Sequence, residues 1–164
     1  MPTLEDAIPA LRRYAWALLR DRNAADDLVQ DTLLRALDRI DTVEPGADPR
    51  AWLFTIMHNL NVSHWRRARV RADIAVEKAD ADMATPPPQQ ASAELRDVLR
   101  GLELLPEEQR QILRLVAVEG MSYGEAARIL GLPIGTVMSR LSRARDRLGA
   151  FMDGRERPAL RRVK

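Results

Sequence analysis

The sequence predicts an all-α protein of two small helical domains joined by a flexible linker. Three observations carry that prediction. Apolar residues recur every three or four positions through both halves, and no β-branched alternating run has strand character. Capping and turn-forming residues punctuate those periodic stretches. Between the halves lies a segment with few large apolar residues. The chain's 164 residues suit one ordinary domain or two small ones, at roughly 100–200 residues per typical domain.

Composition narrows the class. Hydrophobic residues make up 46%, enough for a packed core, while 30% charged residues are too many for a membrane protein. No stretch approaches the ~18–20 uninterrupted apolar residues of a membrane-spanning helix, so no membrane insertion is expected. Glu5 and Asp6 stand where a secretory signal would be basic. With no Cys there is no disulfide framework, thiolate metal site or cysteine nucleophile. The expectation is a soluble, cytoplasmic protein.

The elements follow in order. Thr3 caps a first helix, with Asp6 completing a capping box, and Leu4, Ile8, Leu11, Ala15, Leu18 and Leu19 form its apolar stripe. Asp21-Arg22-Asn23 breaks it, and Asn23 is placed to cap the next. That second helix repeats cleanly through Ala25, Leu28, Val29, Thr32, Leu33, Ala36, Leu37 and Ile40. After a loop with Pro45-Gly46, Asp48-Pro49 supplies a cap and a first-turn proline. The third helix buries Leu53, Ile56, Met57 and Leu60 and runs into Trp65-Arg66-Arg67. Residues 73–93, with Pro86-Pro87-Pro88 and Gln89-Gln90, cannot bury enough surface to offset their ordering entropy and read as a linker. Ser92 then caps a helix with Leu95, Val98, Leu99 and Leu102, and Pro106 opens another that carries Ile112, Leu113, Leu115 and Val116 and stops at Gly120. Ser122 with Glu125 makes a second capping box, Gly131 closes that short helix, and Leu132-Pro133 turns the chain. A last helix, from about Ile134 to Met152, turns Val137, Leu141, Ala144 and Leu148 inward. The predicted domains are 1–72 and 94–152, with the linker at 73–93 and a basic tail at 153–164.

The small net charge of +2 hides its distribution. Residues 49–72 hold five Arg and no acid, and residues 128–164 hold nine Arg and one Lys against three acids. Each basic block follows an acidic one, which points to two separate contacts with a polyanion. GC-rich coding would explain the preference for Arg over Lys; it does not explain the clustering.

Ser122 to Arg147 reads as a helix-turn-helix. Ala126 and Ala127 are small enough for close helix packing. With Val137, Leu141 and Ala144 inward, Met138, Ser139, Ser142 and Arg143 face outward, and Arg140, Arg145 and Arg147 fall where phosphates would lie. The bland alternative is a helical hairpin with a solvated Arg face. A second surface spans Trp52 to Arg71. Thr55, His58, Asn59 and Ser63 lie off the apolar stripe, beside Trp52, Trp65, Arg66, Arg67, Arg69 and Arg71. Amides and hydroxyls read base edges, aromatics stack on unpaired bases and arginines hold the backbone. Taken singly, each Trp reads as core; as a block, the segment reads as nucleic-acid surface. The acidic face Asp26-Asp27 to Gln30-Asp31 reads, on composition alone, as solvent-facing. His58 and His64 are six apart and share no helical face for a metal. No phosphate loop, catalytic triad or carboxylate pair appears, so no enzymatic activity, cofactor, metal or small-molecule substrate is expected.

The motifs have a family likeness. Asp26-Asp27-Leu28-Val29-Gln30-Asp31-Thr32, Pro49-Arg50-Ala51-Trp52-Leu53, and Asn59 with Trp65-Arg66-Arg67 resemble regions 2.1 to 2.4 of a bacterial sigma factor. Leu105-Pro106 through Gln109-Arg110, Ser122-Tyr123-Gly124-Glu125-Ala126-Ala127, Gly135 to Leu141, and Arg143-Ala144-Arg145 resemble region 4. Only these two regions are present, as in the extracytoplasmic-function (ECF, group 4) subclass, and Arg50 to Asn61 resembles general-stress members of alphaproteobacteria. The resemblance implies an alternative sigma factor that binds core RNA polymerase and directs promoter recognition, melting and transcription initiation, under an anti-sigma factor. It implies that Asp27, Gln30, Asp31, Leu34 and Arg35 meet the clamp helices of the β′ subunit, reversing the solvated reading. Asn59, with Trp52, Thr55, Ser63, Arg66 and Arg67, would lie at the minus-ten element, and the loop from Thr42 to Asp48 would help capture a flipped base. Met138, Ser139, Arg140, Ser142, Arg143, Arg145 and Arg147 would contact the minus-thirty-five element, and residues 96–118 the β-flap. The linker would thread the polymerase near the RNA exit path. The chain departs from the family pattern at Met138, often Arg or Lys, and at Ser63, often Asp.

The linker, about 70 Å when fully extended, would average only about 25 Å end to end as a coil. Promoter elements more than a turn apart, over ~34 Å, are then beyond the relaxed chain, so free protein is expected to bind promoter poorly. Rival readings are a sigma-mimic that sequesters an anti-sigma factor, a helix-turn-helix regulator, and a helical nuclease using Asp26, Asp27 and Asp31. The retained arginines of the last helix oppose the first, and Arg66 to Arg71 oppose the second.

Overall fold

A computed structural model describes residues 3–74 and 92–154; the predicted linker and basic tail fall largely outside these. The chain divides into two compact units, one on the N-terminal helices and one on the C-terminal helices. Among the described residues there are seven α-helices and no strand.

In the first unit, α1 (Leu4–Leu19), α2 (Arg22–Asp38) and α3 (Pro49–Ile74) pack on one another. Thr3 forms the expected capping box: Asp6 N–H donates to Thr3 Oγ1 at 3.3 Å, and Thr3 N–H donates to Asp6 Oδ2 at 2.8 Å. The buried stripe of α1 is Ala7, Ala10, Leu11, Tyr14 and Ala15. It shares only Leu11 and Ala15 with the expected one, because small residues let α1 approach its neighbours closely and Tyr14 carries the volume. The cap of α2 is Asp21 rather than Asn23; its Oδ1 accepts from the N–H groups of Asn23 and Ala24 at 2.9 and 3.1 Å. The preceding Arg20 has a left-handed backbone, φ 51°, that ends α1 at Leu19. Along α2, Ala25, Leu28, Val29, Thr32 and Ala36 are buried as expected, whereas Leu37 is 58% exposed and Ile40 leaves α2 for a short 3₁₀ turn, Ile40–Thr42.

Asp48 Oδ1 accepts from Arg50 N–H at 3.0 Å and caps α3 as predicted. Leu53, Ile56 and Met57 are buried; Leu60 is half-buried. Phe54, absent from the expected core, is fully enclosed and meets Tyr14 edge-on, ring centroids 5.1 Å apart.

The C-terminal helices are α4 (Ala93–Glu103), α5 (Glu107–Leu113), α6 (Tyr123–Leu130) and α7 (Ile134–Met152), and both α4 and α5 pack on α7. Ser92 caps α4 through Leu95 N–H at 3.2 Å. Gly101 gives α4 its one fully buried position. A side chain there would strike Leu148 and Phe151 of α7, whose atoms lie 2.6 and 2.8 Å from a would-be Cβ. A π-helical stretch, Arg114–Val118, continues α5, and Glu119 N–H donates to Arg114 O at 2.9 Å. Periodicity alone carries no sign of that extra residue per turn.

Phe54→Ala removes the aromatic at the centre of the first unit, and such truncations cost roughly 3–5 kcal/mol. Denaturant titration followed on the N-terminal unit is expected to show this loss; a change under about 1 kcal/mol would contradict the core assignment.

Candidate nucleic-acid and partner interfaces

The helix-turn-helix is built from local bonds. Ser122 Oγ accepts from Glu125 N–H at 3.1 Å, and Glu125 Oε2 accepts from Ser122 N–H at 2.8 Å, so the start of α6 is doubly fastened. Ala126 and Ala127 are buried. Gly131 ends α6 with φ 65°, a left-handed conformation that costs glycine little, and Leu132 N–H donates back to Ala127 O at 3.0 Å. Pro133 then accepts from Thr136 and Val137 N–H at 3.0 and 3.2 Å and launches α7.

Along α7, Val137, Leu141 and Ala144 are buried, and Met138, Ser139, Ser142, Arg143, Arg145 and Arg147 are exposed, as the sequence predicts. Leu148 is only half-buried. Arg140 stands apart from the other cations: it is half-buried, and its guanidinium lies 3.7 Å from Glu108 of α5. Ser139 Oγ donates to Thr136 O at 3.1 Å, which commits its hydroxyl proton inside the helix.

On α3, Asn59, Arg66 and Arg67 are exposed, and Trp52, Thr55 and Ser63 are half-buried. Thr55 Oγ1 donates to Ala51 O at 3.0 Å. Trp65 is 58% exposed rather than core, with the Arg69 guanidinium 5.1 Å from its ring centroid. Exposure of a large indole among arginines fits a contact surface better than a packing role. On α2, Asp27, Gln30, Asp31 and Arg35 are exposed and Leu34 is 62% exposed.

The structure brings two of the expected surfaces together. Asp31, Leu34, Arg35 and Asp38 of α2 face Leu60, Ser63, His64 and Arg67 of α3 across a groove of about 370 Å³. His64 Nε2 lies 3.7 Å from Asp31 Oδ2 at its edge. Sequence reasoning missed His64, Leu60 and Asp38 as members of this groove, because periodicity assigns faces within a helix and not partners across helices. Asp27 and Gln30 stand outside the groove lining, as do Trp52, Thr55 and Asn59.

His58 is half-buried, its Nδ1 has no hydrogen-bond partner among the described residues, and burial holds its pKa below the ordinary value. No group of three His, Cys, Asp or Glu among the described residues is placed to hold a metal, and none of the described helices is long and apolar enough to cross a membrane.

Two helical units, one ending in a helix-turn-helix with an exposed arginine face, define a DNA-binding transcription protein. Residues 4–58 match the sigma2 domain of PhyR, and residues 95–148 match sigma-70 region 4. The chain is 43% identical over 152 residues to the ECF RNA polymerase sigma factor EcfG of Rhodopseudomonas palustris, covering 92% of this chain and 84% of that one. It resembles the sigma factor RpoE solved with the anti-sigma factor NepR from Bartonella quintana, at 38% identity and TM-score 0.79, covering 92% and 94% of the two chains. A PhyRSL–NepR complex from Sphingomonas sp. Fr1 shares 25% identity and a TM-score of 0.64, over 94% and 89%. The chain belongs to the ECF family of RNA polymerase sigma factors.

Because His58 is harder to protonate when folded, the unfolded chain binds its proton first as pH falls. Its contribution to stability is complete above the unfolded pKa of about 6.5 and declines below it. Thermal midpoints measured from pH 7.5 to 5.5 are therefore expected to fall more steeply for the wild type than for His58→Gln. Parallel profiles would contradict the burial.

Proposed function

We propose that the chain divides the work of an ECF sigma factor among three surfaces, on domains 1–72 and 94–152 joined through 73–93. Asp27, Gln30, Asp31, Leu34 and Arg35 of α2 dock on the clamp helices of the β′ subunit of core polymerase. Trp52, Thr55, Asn59, Ser63, Arg66 and Arg67 of α3 meet the minus-ten element. Met138, Ser139, Ser142, Arg143, Arg145 and Arg147 of α7 meet the minus-thirty-five element. Arg140 joins them on release from Glu108, whose carboxylate is exposed and 3.7 Å away. Residues 96–118 meet the β-flap. The polymerase carries out the catalysis, in the cytoplasm.

The observation that carries this reading is the division of α7. Its buried stripe is complete without a single cation, so Arg143, Arg145 and Arg147 are exposed and left to an external polyanion. Side chains near the N-terminus of such a helix reach base edges and those further along reach phosphates.

A sigma-mimic is the second reading, favoured by the match of residues 4–58 to the sigma2 domain of PhyR. Nothing in anti-sigma capture requires three exposed arginines on the second helix of a helix-turn-helix, so the first reading accounts for more of the surface. The RpoE–NepR relative supports an anti-sigma partner for this chain as well. The exposed Leu34 and Leu37 of α2 are apolar side chains for a partner to cover.

Run-off transcription with core polymerase on a promoter library separates the readings: a sigma factor creates new start sites and a mimic creates none. Arg143→Glu is expected to lower promoter-specific initiation at least about fivefold, since each base contact supplies ~1–3 kcal/mol of discrimination, while core binding stays unchanged. Asp31→Lys is expected to do the reverse, weakening co-purification with core polymerase. Arg145→Ala is expected to reduce the salt slope of holoenzyme–promoter binding by about one without altering sequence preference; an altered preference would move Arg145 from phosphate to base.

A further inference from the structure

We propose that Ile134 and Met138 recognise thymine methyl groups in the minus-thirty-five element; this rests on α7 being the DNA-reading helix. Ile134 is 52% exposed and Met138 51% exposed. They stand four residues apart in the first two turns of α7 and therefore share one face. The core does not need them, because Val137, Leu141 and Ala144 already form the buried stripe. Gly135 stands beside them with nothing within 4 Å of its would-be Cβ, so the approach to this face is open.

The chemistry of the neighbouring side chains sharpens the choice. From 134 to 139 the helix offers Ile, Gly, Thr, Val, Met and Ser, with no charge and no amide. The one exposed hydroxyl among them, on Ser139, donates to Thr136 O at 3.1 Å. Arg140 is drawn toward Glu108 at 3.7 Å. Long polar donors therefore begin at Arg143, more than a turn beyond Met138. A helix entering the major groove by its first two turns here presents an apolar edge. The one apolar group that base pairs display in that groove is the C5-methyl of thymine. Ile134 and Met138 would select A·T pairs by covering that methyl, and Arg143 would add hydrogen-bonded readout further along.

Replacing thymine by deoxyuridine removes the methyl and leaves every hydrogen-bonding edge intact. The experiment uses holoenzyme assembled from core polymerase and the full chain, on a promoter selected from a library randomised in its upstream element. Each thymine of that element, on either strand, is replaced singly. At one or two positions the wild type is expected to lose about fourfold in promoter binding, the effect of one buried methyl. Met138→Ala or Ile134→Ala is expected to bind the thymine and uracil promoters equally at that position. Met138→Gln, which puts an amide in reach of the same base pair, is expected to move the preference toward adenine. Uracil sensitivity that persists in both alanine variants would overturn the proposal. So would uniform indifference to uracil in the wild type while Arg143→Ala still weakens binding. If Arg143→Ala and every uracil substitution are all silent, the assignment of α7 as the reading helix falls as well.

Discussion

The constraint on which this molecule depends is the concentration of guanidinium charge in two patches, which the chain itself pairs only in part. Residues 49–72 carry five arginines and no carboxylate, and the one acid of α3, Asp73, stands at its C-terminal end. In α7, Asp146 is the only acid among four arginines. Like charges crowded on one helix face destabilise it by a few tenths of a kcal/mol per neighbouring pair, and the cost falls when phosphates replace water around them. Both helices form nonetheless because their opposite faces are well packed, on Leu53, Phe54 and Met57 in α3 and on Val137, Leu141 and Ala144 in α7.

The groove between α2 and α3 adds a second constraint. Asp31, Leu34 and Arg35, which we propose meet polymerase, share it with Ser63 and Arg67, which we propose meet the promoter. A partner helix seated there would cover Leu34 and draw Asp31 away from His64, altering the electrostatic surroundings of Arg67 at the same moment. On that proposal, core docking and minus-ten contact would be coupled through a shared set of side chains. An anti-sigma factor covering the same groove would remove both functions together.

Much of this was legible in the sequence. Capping residues at Thr3, Asp48, Ser92 and Ser122 and the glycine at 131 act through bonds to residues a few positions away, so local chemistry locates them. The exposed face of α7 follows from a 3.6-residue period over a short, well-defined buried stripe. What escaped depends on three-dimensional partners. Phe54 and Tyr14 enclose each other, and neither position announces that in its own helix. In α1, three alanines carry the contact, and a search for large apolar residues overlooks them. Asp21 displaced Asn23 as the cap because Arg20 takes a left-handed turn that nothing in its residue type favours. His64 joined the α2–α3 groove through Asp31, thirty-three positions away in sequence.

The division of recognition between two lobes also bears on strength. Each unit is a size at which a core alone is marginal, roughly 60–70 residues, and in our proposal each presents only a few side chains to DNA. On the proposed function, neither contact would need to be tight, because core polymerase would supply a third anchor. Once one lobe is bound, the others meet their sites at an effective concentration set by their tethering, and weak contacts multiply. Apolar readout at Ile134 and Met138 suits such an arrangement. A methyl contact adds selectivity of a fewfold without adding charge, so it sharpens the choice among promoters while leaving the salt-dependent grip of the arginines unchanged. A fifth arginine on α7, in place of Met138, would strengthen attachment to any DNA, and the free chain would then compete for non-promoter sites that the holoenzyme is better placed to ignore.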